Sequence, residues 1–346
     1  MFQFSQYIIP QSANIRDALV ALNKNSGDIL TLFVTDDNGR LIGSLSDGDI
    51  RRGLINGAQL SDSVTTIMLT TFKFITDKKR DVAIIREFKK LGIGLLPYLD
   101  SEGRIVKVYP LKNLDSILPV DAVLMAGGKG ERLRPLTEHT PKPLLKVGNK
   151  AIIDRNVDAL IRNGIEHINV TTNYLAKQIE DHFKEPRHGV QIRCVREPEY
   201  QGTMGSVRNI GEFHNSTILI MNSDLLTNID FQDFYLHFKE TNADMSVAAV
   251  PYTHTIPYGI FEMDEDQITG IREKPQYTYY ANAGIYLIRK EHIRHIPKNA
   301  HFGADDLIQK LISEDYNVVR FPLLGYWIDI GKPEDYRKAQ EFAKHL

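Results

Sequence analysis

Cysteine is nearly absent from this chain: among 346 residues there is one, Cys194. An internal disulfide is therefore excluded, and the residue falls in the predicted strand Val190–Glu197 with no activating base nearby in sequence. A small buried apolar role suits it better than that of a nucleophile. An excess of one charge is missing too, since 42 Lys and Arg stand against 44 Asp and Glu, a net charge of −2 with the basic residues interspersed. That balance gives no footing for nucleic acid. No apolar run approaches the roughly 20 residues that span a bilayer. The N-terminal MFQFSQYIIPQ has neither a basic region nor a cleavage site, so a cytoplasmic location is expected.

What the chain does have is concentrated between Val120 and Pro143. The apolar run Val120-Asp121-Ala122-Val123-Leu124-Met125-Ala126 leads into Gly127, Gly128, Lys129 and Gly130, then Arg132, with Thr140-Pro141-Lys142-Pro143 close behind. A buried strand entering a glycine-rich turn can aim several backbone N–H groups at phosphate oxygens. Glycine permits the positive φ and close approach this needs. Arg132 can fork across two phosphate oxygens, and Lys142 supplies a compact charge. Two other glycine motifs are excluded: the dinucleotide fingerprint lacks its third glycine, because Leu133 stands there, and the Walker loop lacks its Ser or Thr, because Gly130 follows Gly128-Lys129.

Ligands in open α/β sheets sit beyond the carboxyl ends of strands. Asp224 ends the apolar run Ile218-Leu219-Ile220-Met221-Asn222-Ser223, and Asp329 lies in Gly325-Tyr326-Trp327-Ile328-Asp329-Ile330-Gly331. Two carboxylates with phosphate oxygens and water form the shell Mg²⁺ prefers. His292 and His295 are spaced as a potential metal pair on a helix, but without a further ligand nearby they are expected to be partly solvated surface residues.

Two regions are expected, residues 1–117 and 118–346. The first contains a weak internal repeat: Thr35–Ile50 lines up with Leu99–Leu114, each half a strand, an Asx-Gly hairpin, a strand and a helix start. Helical stretches, Asn14–Asn25 and Arg80–Leu91, precede the two hairpins. From Val120 onward strands (Ala122–Met125, His167–Thr172, Gln191–Val195, Thr217–Met221) alternate with helices (Ile152–Asn163, Leu175–Phe183, Gly205–Ile210, Phe231–Thr241). This predicts an α/β fold with a Rossmann-like, mostly parallel mixed sheet and helices on both faces.

The run LMAGGKGERLRPLT with TPKPLL resembles the signature of the sugar-phosphate nucleotidyltransferases, the family of glucose-1-phosphate thymidylyl- and uridylyltransferases and mannose-1-phosphate guanylyltransferases. The likeness extends from about Pro119 to the C-terminus. It implies that Ala126, Gly127, Gly128, Gly130, Arg132, Gly202 and Thr203 hold the nucleotide. Asp224 and Asp329 would bind the metal, expected to be Mg²⁺. Glu273-Lys274-Pro275 resembles the family's EKP turn, so Lys274 would meet the sugar phosphate and Glu273 the sugar hydroxyls, with Gly259, Glu197 and Asn282 around the sugar. Arg132, Lys142, Asp224, Lys274 and Asp329 form the implied catalytic set. Met204 replaces the small residue of the family's GTAG loop and is expected to alter the pocket wall and the base preference.

The N-terminal region resembles a tandem CBS pair, a small α+β module that often binds adenine or guanine nucleotides. Ser46 and Asp49 keep that family's ribose-binding pattern, whereas Pro110 and Asn113 replace it in the second half. The module is expected either to bind a nucleotide or to serve in dimerisation alone. Some nucleotidyltransferases carry a β-helix acyltransferase tail, but here Pro333 starts a last helix and no hexapeptide repeats follow. The combination resembles bacterial guanylyltransferases that supply GDP-activated amino sugars for nonulosonic acids. The implied function is NTP-dependent nucleotidyl transfer to a sugar 1-phosphate, with GTP favoured and UTP, CTP and dTTP as alternatives. A non-catalytic CBS nucleotide sensor is the competing class, and a homo-oligomer, dimer or tetramer, is expected.

Overall fold

The computed structural model describes residues 4–25, 29–76 and 82–345, which divide into two compact units. One comprises residues up to Ile117 with Arg162–Gly164, and the other comprises Leu118–Ile161 and Ile165 to the C-terminus.

The N-terminal unit runs β1 (Ile8–Pro10), α1 (Ile15–Lys24), β2 (Thr31–Thr35), β3 (Leu41–Ser46), α2 (Asp47–Ile55), α3 (Val82–Lys90), β4 (Leu95–Leu99) and β5 (Ile105–Pro110). Its repeat is visible in atomic detail. In the first hairpin Asp36 Oδ1 accepts the N–H groups of Asn38 and Arg40, and in the second Asp100 Oδ1 accepts those of Glu102 and Arg104. Gly39 (φ 76°) and Gly103 (φ 82°) supply the left-handed residue of each turn. The halves diverge afterwards, since β3 enters an α-helix while β5 is followed by a single 3₁₀ turn, Leu111–Asn113. Of the helical stretches expected here, Asn14 and Asn25 flank α1 as its caps, whereas Arg80 lies outside the described residues.

The second unit runs β6 (Val120–Ala126), β7 (Lys146–Val147), β8 (Lys150–Ala151), α4 (Ile152–Arg162), β9 (Ile168–Thr172), α5 (Ala176–His182), β10 (Ile192–Arg196), α6 (Gly202–Gly205), β11 (Thr217–Asn222), β12 (Leu225–Thr227) and α7 (Phe231–Glu240). It continues through β13 (Met245–Thr255), β14 (Gly259–Asp264), β15 (Gln267–Glu273), β16 (Gln276–Arg289), α8 (Ala304–Ser313), β17 (Val318–Pro322), β18 (Trp327–Asp329) and α9 (Pro333–Phe342). Seven strands form one sheet in the order β10-β9-β6-β11-β16-β13-β17. The β10-β9-β6-β11 block is parallel, β16 runs antiparallel to both its neighbours, and β17 is parallel to β13.

Why β6 is central follows from its residues. All but Met125 of its seven are buried, as a strand covered on both faces requires. The exception to apolarity, Asp121, is fully buried and satisfied by the N–H groups of His214 and Asn215 and the Asn215 amide. One core cluster joins Ile218, Ile220, Tyr286 and Ile288 of the sheet to Leu307 and Leu311 of α8. Each such side chain contributes about 1.5–3 kcal/mol on burial. Another cluster packs Ala339 of α9 against Ile152, Leu226 and Ile330. The expected helix Gly205–Ile210 is broken into the short α6 and a 3₁₀ turn, Ser206–Asn209. Among the described residues no helix is long and apolar enough to cross a membrane.

Candidate active site

The carboxyl ends of β6, β9, β10 and β11 open on a cleft of about 590 Å³. Its floor is the glycine loop. Each glycine there has its own reason. Gly130 alone of the three takes a left-handed conformation (φ 64°), and its carbonyl accepts the Thr137 hydroxyl at 2.8 Å. Gly127 needs room instead: a Cβ there would lie 2.3 Å from Glu197 Oε1. Nothing stands within 4 Å of a Cβ at Gly128, so that residue faces open space.

Two carboxylates enter from adjoining strands. β12 and β18 pair antiparallel with Leu225 opposite Asp329, and the Ile330 N–H donates to the Asp224 carbonyl at 3.2 Å. Ahead of Asp224, Ser223 ties β11 to β6 by donating its hydroxyl to the Met125 carbonyl (2.7 Å), while buried Asn156 of α4 donates its amide to the Ser223 carbonyl (3.1 Å). Asp224 is thereby held from both sides of the backbone.

Lys142, 12% exposed, forms an ion pair with Asp224 Oδ2 and lies 3.9 Å from Asp329 Oδ1. Arg132 approaches the same corner, its guanidinium 3.2 Å from where a Cβ on Gly331 would stand. Burial pushes the Asp329 carboxyl up from the ordinary range; Asp224 adds to the rise, against the pull of Lys142 and Arg132. Asp224 Oδ1 is buried and has no hydrogen-bond partner. An orphaned carboxylate oxygen beside a second carboxylate, in an all-oxygen donor set, fits a hard divalent cation.

Glu197 closes another wall. Its side chain is 3% exposed, with Oε2 accepting the Gln201 N–H at 3.0 Å. Burial pushes its pKa up, and the Gln201 N–H offsets part of the rise. Gly202 and Thr203 line the cleft because their segment is clamped to the chain opposite: Met204 and Gly205 donate to the Phe302 carbonyl, and the Thr203 hydroxyl accepts the Ala304 N–H. Met204 itself does not line the cleft. It is fully buried in the core, so the expectation that it reshapes the pocket wall is corrected.

Ala126, Gly127, Gly128, Gly130, Arg132, Lys142, Glu197, Gly202, Thr203, Asp224 and Asp329 thus line one cleft. Gly259, Glu273, Lys274 and Asn282 do not. Gly259 and Glu273 face each other across β14 and β15, and exposed Lys274 occupies the following turn in a left-handed conformation (φ 46°) with its N–H on the Tyr258 carbonyl. Asn282 on β16 accepts the Gly284 N–H and donates to the Tyr286 hydroxyl. Cleft residues not singled out in the sequence include Tyr200, Ser206 and Asn222. Asn222 directly precedes Ser223-Asp224, and that adjacency was the available signal.

Elsewhere, His292 is 1% exposed with Nε2 2.9 Å from Asp244, which corrects its expected solvation. Cys194 is half-buried, and burial pushes its thiol up to about 11, so it is a poor nucleophile. Ser46 and Asp49 cap α2 reciprocally: the Ser46 hydroxyl accepts the Asp49 N–H, Asp49 accepts the Ser46 N–H, and the other Asp49 oxygen pairs with Arg52.

A cleft floored by a glycine turn and flanked by Arg132, Lys142 and two acids is suited to a polyphosphate and a cation. Residues 121–345 match the nucleotidyl transferase family model, and the chain belongs to that family. Residues 6–56 match the CBS domain model. A mannose-1-phosphate guanylyltransferase of Mycobacterium tuberculosis is 30% identical over 63% of this chain and 62% of its own length. The D-glycero-α-D-manno-heptose 1-phosphate guanylyltransferase of Aneurinibacillus thermoaerophilus is 28% identical over 65% of this chain and 99% of its own. The structure of HddC from Yersinia pseudotuberculosis complexed with GMP-PN superposes with a TM-score of 0.51 at 27% identity, over 64% of this chain and 99% of that one. The chain therefore spans less than two thirds of the mycobacterial relative and nearly all of the two shorter ones. Enzymes of this kind use a divalent metal.

Proposed function

We propose that the protein transfers the nucleotidyl group of an NTP, GTP by preference, to a hexose or hexosamine 1-phosphate, giving an NDP-sugar and pyrophosphate. The observation that carries this reading is the convergence of Arg132, Lys142, Asp224 and Asp329 on the cleft floored by Gly127, Gly128 and Gly130. The guanylyltransferase names of the relatives, and the guanine nucleotide analogue in the HddC structure, support GTP.

An acceptor phosphate oxygen attacks the α-phosphorus, the bond from that phosphorus to the bridging oxygen breaks, and pyrophosphate departs with the electron pair. A sugar phosphate is already ionised at neutral pH, so no general base is required. The protein's work is positioning and neutralising charge. In our reading the glycine-loop amides and Arg132 hold the β and γ groups, and Lys142 offsets the charge where the two anions meet. Lys274 and Glu273 take the acceptor's phosphate and hydroxyls, with Gly259, Asn282 and Glu197 around the sugar. Asp224 and Asp329 would hold a divalent cation, Mg²⁺ by its fit to oxygen donors, which supplies further neutralisation of phosphate charge when bound.

The test is pyrophosphate release by the full-length protein with each of GTP, UTP, CTP and dTTP against a panel of sugar 1-phosphates. Release requiring GTP and a hexose or hexosamine 1-phosphate is expected. Absence of release with every pair overturns the reading.

A further inference from the structure

Helix α4 buries more polar chemistry than a core helix ordinarily does. Seven of its eleven residues are buried, and three of the seven are Asp154, Asn156 and Asp158. Asp154 and Asp158 lie one turn apart and share a side of the helix, while Asn156, two residues from each, projects from the other.

The two sides are put to different uses. On the first, Arg187 joins the carboxylates, with Nη1 2.7 Å from Asp154 Oδ1 and Nε 2.6 Å from Asp158 Oδ1. Lys150 of β8 forms a second ion pair with Asp158, and His182 of α5 sets Nε2 2.7 Å from Asp154 Oδ1. Burial alone would raise the Asp158 carboxyl, but Arg187 and Lys150 hold it below its ordinary range. Arg187 is itself fixed in a tight turn, exchanging both backbone hydrogen bonds with Val190. These groups clamp α4 to α5 and to the turn that precedes β10.

On its other side the helix reaches the cleft. The buried Asn156 amide donates to the Ser223 carbonyl at 3.1 Å, one residue before Asp224. At the start of α4 the Ile152 N–H donates to the Leu145 carbonyl at 3.0 Å, and the Leu145 N–H donates in turn to the Lys142 carbonyl at 3.1 Å. Both members of the Lys142–Asp224 ion pair are therefore tied to one helix, each through its own segment. An apolar residue at 156 would pack in such a place as well, but it would take this donor from the Ser223 carbonyl.

We propose that Asn156 is a positioning residue: acting through Ser223, it sets where Asp224 stands beside Lys142, and the Arg187 clamp on the far side of α4 fixes the helix from which it does so. This rests on the nucleotidyl transfer proposed for the cleft. Groups that orient a metal-binding side chain without touching the metal govern its affinity or the activity by about 10–100-fold.

The test uses Asn156→Leu and Asn156→Ala in the full-length protein, with GTP and the sugar 1-phosphate that the wild type accepts. In both variants the Mg²⁺ concentration giving half the maximal rate of pyrophosphate release should rise about tenfold or more, while KM for the sugar 1-phosphate stays near the wild-type value. A second readout needs no turnover: with GTP and no acceptor, the rise in melting temperature on adding Mg²⁺ should be smaller in the variants than in the wild type. Arg187→Lys keeps the charge but loses the fork, and it should shift the Mg²⁺ dependence the same way although Arg187 does not line the cleft; no shift there detaches the clamp from the site. Asn156 variants that melt lower yet keep the wild-type Mg²⁺ dependence in both readouts have lost a merely structural amide, and that result overturns the proposal. A wild type that releases no pyrophosphate with any pair overturns the functional reading and the proposal with it, whereas an active wild type beside unaffected variants overturns the proposal alone.

Discussion

Lys142 is paired to one oxygen of Asp224 while the other oxygen of that carboxylate is buried without a partner. A structural ion pair alone would be expected to satisfy both oxygens, and leaving one bare costs stability. The free oxygen is where the divalent cation of the proposed reaction would bind. Replacing Lys142 by Gln should lower turnover by roughly two to three orders of magnitude, the scale set by removing one preorganised charge-stabilising donor. The loss should appear in kcat measured by pyrophosphate release.

Glu197 gives a prediction in pH. Its pKa is raised by burial, so the folded state binds its proton more tightly than the unfolded chain does. Stability linked to that proton is present below the unfolded carboxylate pKa and is lost as pH rises through the folded value. Glu197→Gln keeps an acceptor for the Gln201 N–H and removes the buried charge. The variant should melt higher than the wild type at pH 8, with the difference vanishing as pH falls below about 4. Parallel melting curves across that range would contradict the assignment.

Ser46 separates a cap from a ligand contact. Its hydroxyl is held within the α2 cap, so Ser46→Ala should destabilise the protein by about 1 kcal/mol in the absence of any nucleotide. Urea denaturation checks this. A loss seen only when a nucleotide is present would point to ligand binding instead.

Much of this arrangement was legible in the sequence where local and global demands coincide. Apart from Asp121 the β6 run is apolar because it is covered on both faces, and the turn after it must be glycine-rich to close against Glu197 and Thr137. Asp224 was legible because it ends an apolar strand. The two-stranded ribbon of β14 and β15 was not. Ile260, Phe261, Met263, Ile268 and Ile271 sit on strands without a core beneath them, and an extra residue at Thr269 breaks the alternation by which strands are recognised. Met204 and His292 were misplaced for the same reason as each other. What buries them is tertiary: the Phe302 carbonyl clamps the Met204 segment and Asp244 meets the His292 ring. Neither partner is near in sequence. The broken helix after Gly202 follows from that clamp as well, since a Cβ at Gly202 would come within 2.9 Å of the Phe302 carbonyl oxygen.

The most direct test of the central claim is the initial rate of pyrophosphate release by Asp224→Asn beside the wild type, with GTP and a hexose 1-phosphate. The substitution keeps the size of the side chain and removes its charge. The account predicts a fall of about a thousandfold or more with a melting temperature close to that of the wild type. Near-normal turnover in the variant would contradict it.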